Sequence, residues 1–156
     1  MKVVLGSDKS GFPLKEAIKK HLEDKNIPFE DLGTLDMEAP SPFFEVAPKI
    51  ADAIASGKAD RGILCCGTGM GMAVVANKNK GITAAVCESV YTAKMCRAVN
   101  DANVLCMGGW LTADWLGLQM TDAFLNTEFT QDLEDWRKDW LKNAKVKVQE
   151  FEDKKF

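Results

Sequence analysis

The sequence predicts a three-layer α/β chain, a doubly wound (Rossmann-like) parallel sheet of five strands with helices on both faces. Five short apolar runs, Met1 to Leu5, Ile27 to Leu32, Gly62 to Leu64, Ile82 to Val86 and Asn103 to Met107, have strand length and end in turn residues. Longer segments with apolar residues at helical spacing separate most of them. Strands joined through such helices run parallel, and right-handed crossovers then place helices on both faces of the sheet. The 156 residues suit one core, with no repeat, low-complexity stretch or linker, so 1–156 reads as a single domain.

The first run ends in Gly6, Ser7 and Asp8, which leaves Asp8 exposed on a loop. Leu14, Ala17, Ile18 and Leu22 then form an apolar stripe, with Lys15, Lys19, Lys20 and Glu23 expected on the solvent side. The only histidine, His21, flanks that stripe and is assigned no chemistry. Gly33 closes the second strand, and Asp36 to Pro42 reads as a polar loop. Phe43 to Ala55 reads as a helix with Pro48 near its first turn, where a missing amide is best tolerated. The third strand ends near Cys65 and Cys66, on opposite faces, and after the glycines a helix runs from Met72 through Lys78. The fourth strand ends at Cys87 and Glu88, and Ser89 caps a helix toward Val99. Gly108 and Gly109 stop the fifth, and two helices follow, Thr112 to Leu125 and Thr130 onward. Ligands of such sheets lie beyond the carboxyl ends of the strands, where Asp8, Cys66 to Gly71, Glu88 and Gly108 would gather.

Hydrophobic residues are 46% and charged residues 28%, the balance of an ordinary globular protein. A net charge of −3 gives no overall attraction to nucleic acid or an acidic membrane. Neither a leader nor a spanning apolar run is evident, so a cytoplasmic location is expected. The cysteines at 65, 66, 87, 96 and 106 lack zinc spacing and read as reduced, buried thiols with no metal, Cys66 excepted.

Arg61 to Lys78 is the stretch on which function turns. Gly67, Gly69 and Gly71 free the backbone between a strand and a helix, so amide hydrogens converge on one hollow. Cys66 at the strand tip and Thr68 within the loop supply a base, a proton carrier and an anion cradle. A dinucleotide site is the nearest rival, since Glu88 follows at an interval suited to a ribose hydroxyl. Met72 stands where that motif has its third glycine, however, and the loop follows the third strand, not the first. No Gly-Lys-Ser/Thr ending points to a nucleoside triphosphatase.

Gly6-Ser7-Asp8-Lys9-Ser10-Gly11, the CGTGMG run Cys66 to Gly71, Ala76-Asn77-Lys78, Arg97 with Asn100-Asp101, and Asn103 to Gly108 together resemble the ribose-5-phosphate isomerase B and galactose-6-phosphate isomerase family. The resemblance extends to about Leu125 and is weaker in the last helix. It implies interconversion of aldose and ketose phosphates through an enediolate without metal or cofactor. It also implies a homodimer, or a dimer of dimers, whose sites combine residues of both subunits and whose C-terminal helix packs on the partner. On it, Cys66 is the base and Thr68 the proton relay, and the amides of Gly67, Gly69, Met70 and Gly71 stabilise the enediolate. Asp8, Lys9 and Asn100 bind the sugar, while Lys9, Arg97 and Arg137 bind phosphate.

Four departures stand beside these matches. Lys9 replaces a common histidine, Leu133 replaces the first of two phosphate arginines, and the Asp36 to Phe43 loop lacks an aspartate-tyrosine-proline run. Val99 replaces the histidine credited with opening the sugar ring, and valine transfers no proton. Ribose 5-phosphate is the first expected substrate. A tetrose 4-phosphate is the alternative, because a four-carbon sugar with O4 blocked forms no furanose. A non-catalytic sugar-phosphate-binding subunit and a nucleotide-binding protein are the other readings. Arg137 emerges from a stripe of Leu133 and Leu141 flanked by Trp136 and Trp140, and either binds phosphate or pairs with Glu134. The stripe itself supports a dimer.

Overall fold

The computed structural model describes residues 1–156. Its strands are β1 (Val3–Ser7), β2 (Phe29–Asp31), β3 (Arg61–Cys66), β4 (Ala84–Val86) and β5 (Val104–Gly108), all parallel in the order β2-β1-β3-β5-β4. The helices are α1 (Phe12–Asp24), α2 (Phe43–Ala55), α3 (Met70–Ala76), α4 (Val90–Asn100), α5 (Asp114–Leu125) and α6 (Asp135–Asp153). The expected five-stranded parallel sheet with helices on both faces is present.

Alternation along the strands builds two cores. Val3, Leu5, Ile63, Cys65, Leu105 and Met107 face α1, α4 and α5 through Leu14, Ile18, Ala93, Met120 and Phe124. Val4, Leu64, Cys66, Val104 and Cys106 face α2 and α3 through Val46, Ile50, Met72 and Ala76. Right-handed crossovers account for the division: connections moving one way across the sheet pass over one face, and those returning pass over the other.

Several element boundaries differ from the sequence reading. Strand β2 keeps three residues, and Pro28, which has no N–H to give, sets its start. Pro48 is the sixth residue of α2, a turn deeper than expected, and forfeits one hydrogen bond at the helix's exposed start. Helix α3 starts at Met70, two residues early. Helix α6 starts at Asp135, because left-handed backbone at Thr130 (φ 66) and Asp132 (φ 57) breaks the segment expected to begin it.

Lys15, expected on the solvent side of α1, is 1% exposed. Its ammonium bonds Asp31 and the Thr34 carbonyl, which latches α1 to the end of β2. His21, assigned no chemistry, makes a structural contact. Its Nε2 lies 2.9 Å from Asp122, and Lys25 donates to the same carboxylate at 2.7 Å, tying α1 to α5.

Partial burial of Asp122 opposes ionisation, but the Lys25 and His21 hydrogen bonds outweigh it and hold the carboxyl below its ordinary 3.8. A depressed folded pKa stabilises the fold above the unfolded value, and that contribution is lost as pH falls through the folded value. Asp122→Asn should therefore lower stability by about 1 kcal/mol at neutral pH, with the deficit shrinking below about pH 4. Urea unfolding across that range measures it, and a pH-independent deficit would refute the assignment.

Helix α6 stands apart from both cores. Only Leu141 of its 19 residues is buried, while Trp136 and Trp140 are 70% and 62% exposed. No helix is long and apolar enough to cross a membrane.

Candidate active site

Strands β1 and β3 are neighbours whose following helices pass over opposite faces, which makes their carboxyl ends the switch point where such sheets place a ligand crevice. Three loops meet there. The Asp8 amide donates to the Cys65 carbonyl at 3.3 Å, the Gly109 amide to that of Cys66 at 2.7 Å, and the Trp110 amide to that of Gly67 at 3.0 Å. Asp8, the Cys66 to Gly71 loop and Gly108 are thus brought together as expected. Glu88 is not: it is exposed beyond the edge strand β4, two strand spacings or about 10 Å from β3. That removes the acidic partner a dinucleotide reading requires.

Cys66 closes β3 on the face opposite Cys65. Its sulfur accepts the Gly69 N–H at 3.1 Å, and the residue is 5% exposed. The donor requires Gly69 to hold φ +79, with its α-carbon against the Met107 backbone, where a Cβ would come within 3.0 Å. An L side chain is excluded there on both counts. Burial pushes the Cys65 thiol far above its ordinary range, and Cys106 likewise, so both remain protonated packing groups. In α4, a hydrogen bond with Cys87 and burial likewise hold Cys96 as a thiol.

Thr68 is half-buried, and its hydroxyl accepts the Met70 N–H at 3.3 Å. The expected amide cradle is accordingly narrower. The N–H groups of Gly69 and Met70 are directed at Cys66 and Thr68, while those of Gly67, Thr68 and Gly71 donate to nothing in the chain. One Asp8 oxygen accepts the Ser10 and Gly11 amides at 2.9 and 3.0 Å, which fixes the carboxylate and leaves its second oxygen open. Lys9 is exposed and forms no ion pair.

The remaining candidates lie elsewhere in the chain. Helix α4 descends from the carboxyl end of β4 to the amino end of β5, so Val99 and Asn100 sit at the opposite edge of the sheet. The length of β5, about 16 Å, separates them from the level of Cys66. Arg97 is a correction. It is 2% exposed, donates to the Thr127 and Ala102 carbonyls and to Asp101, and so is a structural cation with no surface for a phosphate. Arg137, half-buried at the start of α6, forms no ion pair with Glu134 or any other carboxylate, whereas Arg61 and Arg97 both have carboxylate partners. A cavity of about 660 Å³ lies at this amino edge, lined by Val99, Asn100, Phe129, Trp140, Leu141 and Lys145 among others.

Two aromatic residues at the crevice were missed from sequence. Phe43, the first residue of α2, lies against Gly71, and the Trp110 indole lies against Gly67. An aromatic directly after the Gly108-Gly109 strand stop was the available signal. No three His, Cys, Asp or Glu side chains group as metal ligands.

The Ribose/Galactose Isomerase family matches residues 3–140. The chain is 58% identical over 153 residues to 4-deoxy-4-sulfo-D-erythrose isomerase of Clostridium sp. (strain MSTE9), covering 98% of this chain and 96% of that protein. It is 40% identical over 130 residues to D-erythrulose-4-phosphate isomerase 2 of Mycolicibacterium smegmatis, covering 76% and 86%. Among solved structures, Clostridium thermocellum ribose-5-phosphate isomerase B superposes with a TM-score of 0.90 at 36% identity and covers both chains completely.

Proposed function

We propose that this chain, which belongs to the Ribose/Galactose Isomerase family and is a sugar-phosphate isomerase, interconverts the aldose and ketose forms of a four-carbon sugar bearing an anionic group on C4. The observation that carries the substrate is the 58% identity over 98% of the chain to 4-deoxy-4-sulfo-D-erythrose isomerase. Chemistry supports it. A tetrose with sulfonate or phosphate at C4 has no free C4 hydroxyl to close a furanose, so an enzyme for it needs no ring-opening acid or base where this chain has Val99. Ribose 5-phosphate, the substrate first expected, becomes the second reading. The likeness to ribose-5-phosphate isomerase B favours it, but it does need ring opening.

In this mechanism the Cys66 thiolate removes the proton from C2 of the aldose and returns it to C1, while Thr68 moves a proton between the two oxygens. Negative charge on the enediolate is met by the free amides of Gly67, Thr68 and Gly71. The Gly69 N–H gives charge on the sulfur a donor. Asp8, through its open oxygen, holds a sugar hydroxyl, and Lys9 is a point charge at the rim. Asn100 and Arg137 join from a second copy of the chain, since their own chain holds Asn100 at the far edge of its sheet. The exposed Trp136 and Trp140 of α6 are suited to that interface.

Initial rates with 4-deoxy-4-sulfo-D-erythrose, erythrose 4-phosphate and ribose 5-phosphate test the substrate. We expect one or both tetroses to exceed the pentose in kcat/KM by about tenfold or more. A preference for ribose 5-phosphate would overturn the tetrose reading.

A further inference from the structure

Trp110 is the most exposed large hydrophobic side chain at the crevice, at 71%. Its backbone is nonetheless held in place. The Trp110 amide is bonded to Gly67, and Thr112 turns back onto the Gly108 carbonyl at 2.9 Å. Its six-membered ring lies so close to Gly67 that a Cβ there would meet Cε3 and Cζ3 at 2.8 Å. The preceding Gly109 abuts Ser10 and Gly11 with similar closeness. The indole therefore rises from the seam between the Asp8 loop and the Cys66 loop, one edge on the residue beside the sulfur and most of its surface open. Its Nε1–H has no acceptor within the chain. A large apolar group exposed beside the Cys66 loop offers a bound ligand a flat face for the C–H surface of a sugar, and one N–H donor for an oxyanion.

We infer that Trp110 is the specificity wall of the site, limiting the sugar to four carbons between Cys66 and its terminal anion. The inference rests on the tetrose reading above. One further carbon extends the chain by about 1.5 Å, and a packed wall discriminates a single methylene by about tenfold to 200-fold. Trp110→Ala removes the wall, whereas Trp110→Phe keeps a flat ring without the N–H.

The test measures kcat/KM of wild type, Trp110→Ala and Trp110→Phe with 4-deoxy-4-sulfo-D-erythrose, erythrose 4-phosphate and ribose 5-phosphate, with oligomeric state followed by light scattering. In Trp110→Ala the tetrose-to-pentose ratio is expected to fall about tenfold or more, with assembly unchanged and most of the ratio restored in Trp110→Phe. A parallel loss on all substrates, or dissociation of the assembly, would overturn the inference and make Trp110 a structural or subunit-contact residue. A wild type inactive on both tetroses would overturn the tetrose reading and the wall with it. An active wild type whose ratio survives Trp110→Ala overturns the wall alone.

Discussion

Replacing Cys66 with alanine should lower kcat about 10³-fold while the protein remains folded, because proton transfer by a placed base contributes on the order of 10²- to 10⁴-fold. The sulfur is the only candidate base at the tip of β3 that also has an N–H aimed at it, from Gly69 at 3.1 Å. Its removal leaves that amide unpaired and a small void against Leu64 and Cys106, a destabilisation of about 1 to 2 kcal/mol. Cys66→Ser separates chemistry from packing, since it preserves size and an acceptor for Gly69 but presents a hydroxyl that stays protonated at neutral pH. Its stability should stay close to wild type and its turnover should not recover. Cys65→Ala is the contrasting case. That thiol faces the other core, is held protonated by burial, and should cost stability with kcat nearly unchanged.

Mixing two inactive variants should restore activity. If each site takes Cys66 from one subunit and Asn100 and Arg137 from the other, Cys66→Ala combined with Asn100→Ala produces mixed dimers with one intact site. Random 1:1 pairing makes half the dimers mixed, each with one good site of two, so about a quarter of wild-type activity should return. Asn100 is exposed at the amino edge of the sheet, Cys66 ends β3 at the carboxyl edge, and about 16 Å of strand lies between those levels. Arg137 is the one arginine without a carboxylate partner and sits on the helix least embedded in either core. Recovery in co-expressed, differently tagged pairs would support shared sites. No recovery from verified mixed dimers would mean that each chain works alone.

Much of the fold was legible because strand alternation and helix stripes are local signals. The bounds of α2, Phe43–Ala55, were read correctly, and Cys65 and Cys66 divide between the two faces as alternation requires. The glycine loop was legible as a candidate site because the last residue of a parallel strand and the glycines after it must lie at the carboxyl edge. The misses were tertiary. Lys15 looked like a solvent-side residue because its partners, Asp31 and the Thr34 carbonyl, belong to a later strand and turn. Arg97 looked available for phosphate because its Thr127 acceptor lies 30 residues away. The narrowing of the amide cradle depends on where Gly69 and Met70 point, which spacing does not reveal. Trp110 was overlooked because its importance comes from contact with Gly67, at the end of the neighbouring strand β3 and more than 40 positions earlier in the sequence.

Isotope exchange shows whether Cys66 carries the C2 proton of a four-carbon substrate. With 4-deoxy-4-sulfo-D-erythrose in deuterated water, followed by proton NMR, the wild type should wash deuterium into C2 while Cys66→Ala leaves the C2–H signal intact. Exchange at the wild-type rate in Cys66→Ala would rule out Cys66 as the base, because some other group would then be moving the proton.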